Sequence, residues 1–224
     1  MVRPPLPRPI AVCDFDAILA SDKEMYPTDT PLTPEAMAQW YMFHPEFGMI
    51  YDGLGCCIVV PVTKATWTAY IRKEIDEAGL VNGVFDAATD EDGELGLHLY
   101  HIEKTPAWTR DYARMATVVL ADLGRILENL RAARPKHLQP LQVVGFSALA
   151  ASEAGYKTSR TTFKMTQLYE AEEFLYRHKT TRELIVVTPS DLPLDETSWV
   201  KEGETRLMAL EGVAACRDLF SLSF

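Results

Sequence analysis

With 224 residues, 47% of them hydrophobic and 24% charged, the chain has the make-up of one globular domain, or one and a half, with a real core. Its net charge of −10 argues against the basic surface that direct nucleic-acid binding needs. That charge suits a cationic substrate, an amine or a Lys/Arg-rich peptide, although solubility alone also accounts for it. No apolar run approaches the roughly 18 residues of a membrane span, and the opening MVRPPLPRPI lacks the apolar core of a signal peptide; neither nucleic acid nor membrane is expected as a partner.

Taken in order, residues 1–9 read as a proline-rich arm or linker. Ile10 to Phe15 (IAVCDF) reads as a first strand and Asp16 to Glu24 as a short helix. Tyr26 to Leu32 is a proline-rich loop. Thr33 is a good N-cap with Pro34 at the first helical position, so a helix over 34–43 is expected, ended by His44-Pro45. Phe47 to Tyr51 and Leu54 to Thr63 read as strands joined through the Asp52-Gly53 hairpin signal. Residues 64–79 carry Trp67, Tyr70, Ile71 and Ile75 at helical spacing, with Gly79 as a C-cap. Asp86 to Gly93 is an acidic loop without the ligand pattern of an EF-hand. It either recruits a cationic substrate or is a solvated turn.

Leu95 to Lys104 is a strand with Leu97 and Leu99 on one face and His98, Tyr100 and Ile102 on the other; His101 falls opposite His98. A loop with three cationic residues follows. Then comes a helix whose stripe is Ala116, Val119, Leu120, Leu123, Leu127 and Leu130. Leu141 to Gly145 reads as a strand, Ser147 to Ala154 as a short helix closed by Gly155, and Tyr156 to Phe163 as a strand. Residues 165–178 read as a helix, Arg182 to Thr188 as a strand, Asp191 to Leu194 as a loop and 203–220 as a final helix. The sum is a mixed α/β domain over 10–188 with about seven strands, and a C-terminal extension over 189–224. The four cysteines, Cys13, Cys56, Cys57 and Cys216, match no zinc motif and no disulfide framework. They point to a reducing compartment, nucleus or cytoplasm, and no metal is expected.

The segment from Glu94 to Leu130 suits an anion. A strand feeds through a cationic loop into a helix N-terminus, whose N–H groups are unpaired and whose dipole is positive. The strings LHLYHIEK (Leu97 to Lys104) and RDYARMATVVL (Arg110 to Leu120), with SALAASEAGYK (Ser147 to Lys157), resemble the GCN5-related N-acetyltransferase (GNAT) family. Tyr26-Pro27 and Thr33-Pro34-Glu35 to Trp40 are similar to that family's substrate-side helices. The divergent domain of this family carried by a kinetoplastid kinetochore protein is one the chain also resembles. The likeness covers roughly residues 10–188.

The resemblance implies a GNAT fold, a mostly antiparallel sheet of about seven strands with helices on both faces. It also implies acetyl-CoA as cosubstrate, transfer to a lysine of a basic protein tail such as a histone, and a larger complex reached through the N-terminal region. The cofactor grip would fall on Ile102, Glu103, Lys104, Arg110, Asp111, Tyr112, Ala113, Arg114, Met115, Ala116 and Thr117, with Ser147, Ala151 and Ser152 across from it. Two registers fit the family's pyrophosphate loop: Arg110, Ala113 and Met115, or Asp111, Arg114 and Ala116. Neither supplies a glycine, which moves part of the grip to Arg110 and Arg114. The family's thiolate-protonating tyrosine is replaced by Ala151; Ser147 and Ser152 are the nearest hydroxyls, and Tyr156 is assigned to packing. Glu103, His98 and His101 are the candidate bases, with His98 where related lysine acetyltransferases place a glutamate; a hydrogen-bonded core histidine is the other reading of His98. The oxyanion would be met by backbone near Ile102–Glu103. Trp40, Trp67 and Trp108 either line an acceptor groove or pack. A catalytically weak binding or scaffold module and a small-molecule amine acetyltransferase remain the alternatives.

Overall fold

The computed structural model of the chain describes residues 1–27, 31–192 and 194–221. Part of the loop expected over 26–32, and Pro193 in the loop expected over 191–194, lie outside the described residues. The elements, in order, are β1 (Arg8–Pro9), α1 (Phe15–Met25), α2 (Pro34–Trp40), β2 (Gly48–Tyr51), β3 (Gly55–Thr63), α3 (Lys64–Ile71), β4 (Glu94–Lys104) and α4 (Met115–Ala133). They continue with β5 (Gln142–Ala150), α5 (Glu153–Thr161), β6 (Thr166–Gln167), β7 (Phe174–His178), β8 (Leu184–Val187), β9 (Trp199–Glu204), β10 (Arg206–Glu211) and α6 (Val213–Phe220).

Among the described residues, seven strands form one sheet in the order β1-β2-β3-β4-β5-β10-β6, and β8-β7-β9 form a second. In the larger sheet every pairing is antiparallel except β4 with β5. This is the mixed α/β architecture expected, compatible with a GNAT-like fold. Helices cover both faces. On one, Trp67 of α3 lies over Gly96 and Gly145, where an added Cβ would come within 2.3 and 2.0 Å of the Trp67 side chain. On the other, Phe146 of β5 packs on Phe163 and on Phe220 of α6, and α6 backs onto α4 at Gly124.

Several elements differ from the sequence reading, each for a local reason. The stretch IAVCDF is not a strand. The Asp14 carboxylate accepts the Ala11 N–H at 2.8 Å and pairs with Arg8, which folds 12–14 into a 3-10 turn leading into α1. Val12 is then exposed, while Phe15 and Ile18 supply the buried helical stripe. The helix expected over 64–79 stops at Ile71, and Lys73 adopts a positive φ of 59° before a 3-10 segment over 78–83. A cluster of acids at a helix C-terminus opposes the dipole, so the early stop follows from Glu74, Asp76 and Glu77.

β5 runs through Ala150 instead of ending at Gly145, because Gly145–Ala150 is paired with β10 on one edge while Gly145–Ala148 meets β4 on the other. Ser152 accepts the Gly155 N–H at 3.1 Å and caps α5, so the β-branched run after it is helical. Such a cap is worth about 1 kcal/mol, enough to outweigh weak strand propensity on a largely exposed face. Residues 165–178 form β6 and β7 rather than a helix. Residues 203–220 form the end of β9, β10 and α6 rather than one helix, because Leu207 and Ala209 line one side of a strand, not a helical stripe. The strand near 182–188 belongs to the small sheet, and β10 joins the large sheet between β5 and β6.

The N-terminal arm is tied down. The Val2 N–H donates to Asp111 O at 2.7 Å and the Ala113 N–H donates to Val2 O at 2.9 Å. Arg3 and Arg125 both pair with Asp122 of α4, which is fully buried and also accepts the Tyr51 hydroxyl at 3.0 Å. No described helix is long and apolar enough to cross a membrane.

Candidate functional site

The site begins where the two parallel strands part. β4 and β5 pair from Glu94 opposite Gln142 as far as Leu99 opposite Ala148, and β4 then runs on to Lys104 paired with β3 only. On its other edge β4 carries a bulge. Leu99 pairs with Val59 and His101 with Ile58, leaving Tyr100 as the extra residue. Such a residue's backbone stands outside the ladder and bends the strand. The irregularity falls at Tyr100, two residues before the stretch Ile102–Glu103 whose backbone was expected to meet the oxyanion. It also resets the side-chain alternation, so His101 does not lie opposite His98. Tyr100 donates to Asp22 at 3.2 Å and His101 Nδ1 lies 3.5 Å from the same carboxylate, both toward α1.

A cleft of about 1080 Å³ opens on this face. Its floor is Tyr100, Leu149 and Leu207 of β4, β5 and β10, and Tyr26, Trp40 and Tyr70 add aromatic surface. Glu74, Asp76 and Glu77 line it from the turn after α3, and Glu170, Glu172 and Glu173 from the segment between β6 and β7. Lys73 is the one cation among the described lining residues, and it is already held by Glu172 at 2.7 Å and by the ring of Tyr169. A cavity lined by one sign of charge concentrates the opposite ion. Burial, then Glu173, pushes the Tyr26 phenol well above its ordinary value; its hydroxyl donates to Glu173 at 2.7 Å.

Behind the cleft runs a chain of polar groups. Glu77 Oε1 lies 2.8 Å from His98 Nε2, and His98 Nδ1 lies 3.0 Å from Ser147 Oγ, which accepts the Trp67 indole N–H at 3.0 Å. A carboxylate only accepts, so Nε2 carries the proton; in the neutral imidazole Nδ1 then accepts from the Ser147 hydroxyl. His98 and Ser147 are fully buried, Tyr70 packs edge-on to His98 at 4.6 Å, and the Glu77 side chain is 26% exposed. The group that reaches the cleft is therefore Glu77, with His98 as its backing.

A second cluster lies past the bulge. Glu103 accepts the Ser21 hydroxyl at 2.7 Å and sits 3.5 Å from His101 Nε2, with Cys56 beside them. Burial lowers the His101 imidazolium pKa, but Asp22 and Cys56 outweigh it and push it up to about 10.

At the start of α4, Arg114 occupies the cap position with no side-chain cap, and Arg110, Asp111 and Arg114 are exposed, as are Lys104 and Thr117. Ile102, Tyr112 and Ala116 are half-buried, and Ala113 and Met115 are buried. Trp108 anchors the loop from within, its indole donating to Ala113 O at 2.9 Å and its ring meeting Tyr51 edge-on. Most of the site residues expected from sequence thus fall in three places, and Ala151 and Ser152 lie apart from them. Lys104 and the 110–117 segment lie at the helix N-terminus. Glu103 and His101 form the second cluster, and His98 and Ser147 lie in the buried chain. Ser152 serves as the α5 cap, and the Ala151 carbonyl packs where a Gly203 side chain would be. Tyr156 packs under Arg206 at 4.1 Å. The acidic loop over 86–93 is a structural turn, whose Ala87 and Asp90 carbonyls accept the Arg134 guanidinium. Trp40 lines the cleft and packs on Tyr100, whereas Trp67 and Trp108 are core.

Sequence reasoning passed over Glu77, Asp22 and Glu173, and took Tyr26 only as part of a substrate-side segment. The signal for Glu77 was its place among three acids within four residues, at what read as a helix end. Comparison of the chain with protein-family models finds no match, and comparison with curated proteins finds none either.

Proposed function

We propose that the chain is an acetyl-CoA-dependent N-acetyltransferase acting on a cationic amine, a lysine of a basic protein tail. The observation that carries this reading is the acidic, aromatic cleft opening directly at the splayed, bulged end of β4, above Glu77. The resemblance to the GNAT family supports it, as does the parallel β4–β5 pair that ends at Leu99. Exposed Lys104, Arg110 and Arg114 with the α4 N-terminus would hold the pyrophosphate, and the free edge of β4 past Leu99 would take an extended chain such as a pantetheine. Acetyl-CoA supplies an activated acyl group.

The carboxylates of the cleft bind the substrate ammonium and align it over Tyr100. Glu77 accepts the proton the amine must lose before attack, and His98, fixed by Ser147 and Trp67, holds Glu77 in place and spreads the charge. The backbone of the Tyr100 bulge is positioned to meet developing negative charge on the acyl oxygen. The C–N bond forms as the C–S bond breaks, and the amine's proton replaces the acyl group on sulfur in the net reaction.

Ala151 favours a second reading, a binding module of this fold without turnover. Calorimetry and a peptide assay separate the two. The enzyme binds acetyl-CoA and acetylates a Lys-rich peptide. A chain that binds acetyl-CoA and turns over neither peptide nor polyamine is the module. One that does not bind acetyl-CoA at high micromolar concentration contradicts both the grip and the transfer.

A further inference from the structure

We propose that Cys56, His101 and Glu103 form a site for a divalent cation of the zinc class, with Asp22 orienting the imidazole. The site does not depend on the acyltransferase reading. Cys56 and Glu103 are cross-strand partners in the β3–β4 ladder, and His101 lies two residues before Glu103 on the same strand. The Tyr100 bulge is what brings His101 into line with them. The Cys56 sulfur, an imidazole nitrogen and a carboxylate oxygen all lie within 4.8 Å of one another.

The second observation is an orphan. His101 Nε2 is buried and has no hydrogen-bond partner among the described residues. Its contact with Glu103 Oε2, at 3.5 Å, is long for a hydrogen bond between these groups. It is close to the edge, roughly 3.3 to 3.4 Å, of a tetrahedron with metal–ligand bonds of about 2.0 to 2.1 Å. The other nitrogen, Nδ1, faces Asp22 Oδ1. Metal-bound histidines hold their second nitrogen against a carboxylate in this way, which fixes tautomer and ring orientation. The surrounding groups are themselves positioned. Tyr100 donates to Asp22 at 3.2 Å and Ser21 donates to Glu103 at 2.7 Å.

A thiolate, an imidazole and one carboxylate select zinc or cobalt over calcium or magnesium, which take all-oxygen sites. Three protein ligands leave a fourth position for water, and the Glu103 side chain, 35% exposed, marks the side from which solvent reaches it. Binding releases the Cys56 thiol proton and any proton on Nε2 to solvent.

The test uses the full chain, freed of metal by chelation and titrated with Co²⁺ alone. One equivalent should bind and give a thiolate-to-cobalt charge-transfer band with the absorption of a tetrahedral ion, displaced by Zn²⁺. Cys56→Ser should abolish the band, while Cys13→Ser and Cys216→Ser keep it. Asp22→Asn should keep the band and weaken binding about 10- to 100-fold. Absence of a stoichiometric band in the unmodified chain overturns the proposal without reliance on any variant's folding. A band that survives in Cys56→Ser overturns it too.

Discussion

The two histidines of β4 stand three residues apart and are built in opposite ways. His98 is fully buried, with both nitrogens partnered, by Glu77 and by Ser147. His101 meets a carboxylate at 3.5 Å on each side, Asp22 at Nδ1 and Glu103 at Nε2, and its buried Nε2 has no hydrogen-bond partner among the described residues. A histidine held at both ends is a fixed strut that transmits position and charge to the carboxylate it supports. A histidine whose second nitrogen has no hydrogen bond can give that nitrogen to a cation once its proton leaves. The single bulged residue between them, Tyr100, turns each toward a different helix, α3 for His98 and α1 for His101. A strand of regular alternation could not carry both arrangements on one face.

The strongest way to break this contrast is at Glu77. Under the proposed transfer, Glu77→Gln should lower kcat by about 10²- to 10⁴-fold, the usual weight of a general base, while acetyl-CoA affinity measured by calorimetry stays near wild type. An unchanged kcat removes the cleft carboxylate from the chemistry. Next, Gly145→Ala should drive a methyl into the Trp67 indole, which sits within 2.0 Å of that position. Overpacking of this kind costs about 1 to 3 kcal/mol, read as a lower midpoint in urea. Because Trp67 holds Ser147, the variant should also lose turnover beyond what its folded fraction accounts for.

Ser147→Ala sharpens the strut directly. It removes a buried hydroxyl from two neighbours, worth about 1 to 3 kcal/mol of stability, and should shift the pH profile of kcat, since His98 Nδ1 loses the hydroxyl that backs its contact with Glu77. A purely structural role for Ser147 would move the melting temperature and leave the pH profile in place. A smaller effect is expected of charge reversal at Arg110 and Arg114. Both are exposed, so acetyl-CoA binding should weaken by about tenfold at low salt and less at high salt.

The smallest effect concerns the thiols. Burial holds the Cys57 thiol far above its ordinary value and pushes Cys216 up to about 12. In the metal-free folded chain at pH 8, exposed Cys13 should therefore react with a thiol reagent fast, and Cys57 and Cys216 only on unfolding. Rapid modification of Cys216 in the folded state would contradict the packing described for α6.

The N-terminal half was the more legible. Thr33-Pro34 and Asp52-Gly53 are local signals, and they fall where a helix starts and a hairpin turns because a cap and a tight turn depend on few residues. β4 and α4 were legible from their periodicity. The bulge at Tyr100 was not. Nothing in LHLYHIEK marks where the β3 register slips, so His101 was placed on the wrong face. The C-terminal half was misread because its elements are short and decided by tertiary pairing. Arg206 to Glu211 has helix-forming residues, yet it fills the gap between β5 and β6 and buries Leu207, Met208 and Ala209. The candidate site was legible only as a neighbourhood. Sequence pointed to β4 and the start of α4, whereas Glu77 and Asp22 reach the site from the turn between α3 and the 3-10 segment and from α1, by folds of the chain that no local pattern encodes.

The most direct measurement of the central claim is intact-mass analysis of a Lys-rich tail peptide incubated with acetyl-CoA and either the unmodified chain or Glu77→Gln. The account predicts acetylated peptide with the unmodified chain and little with the variant, both binding acetyl-CoA equally in calorimetry. Equal acetylation by the two, or none by an unmodified chain that binds acetyl-CoA, would contradict it.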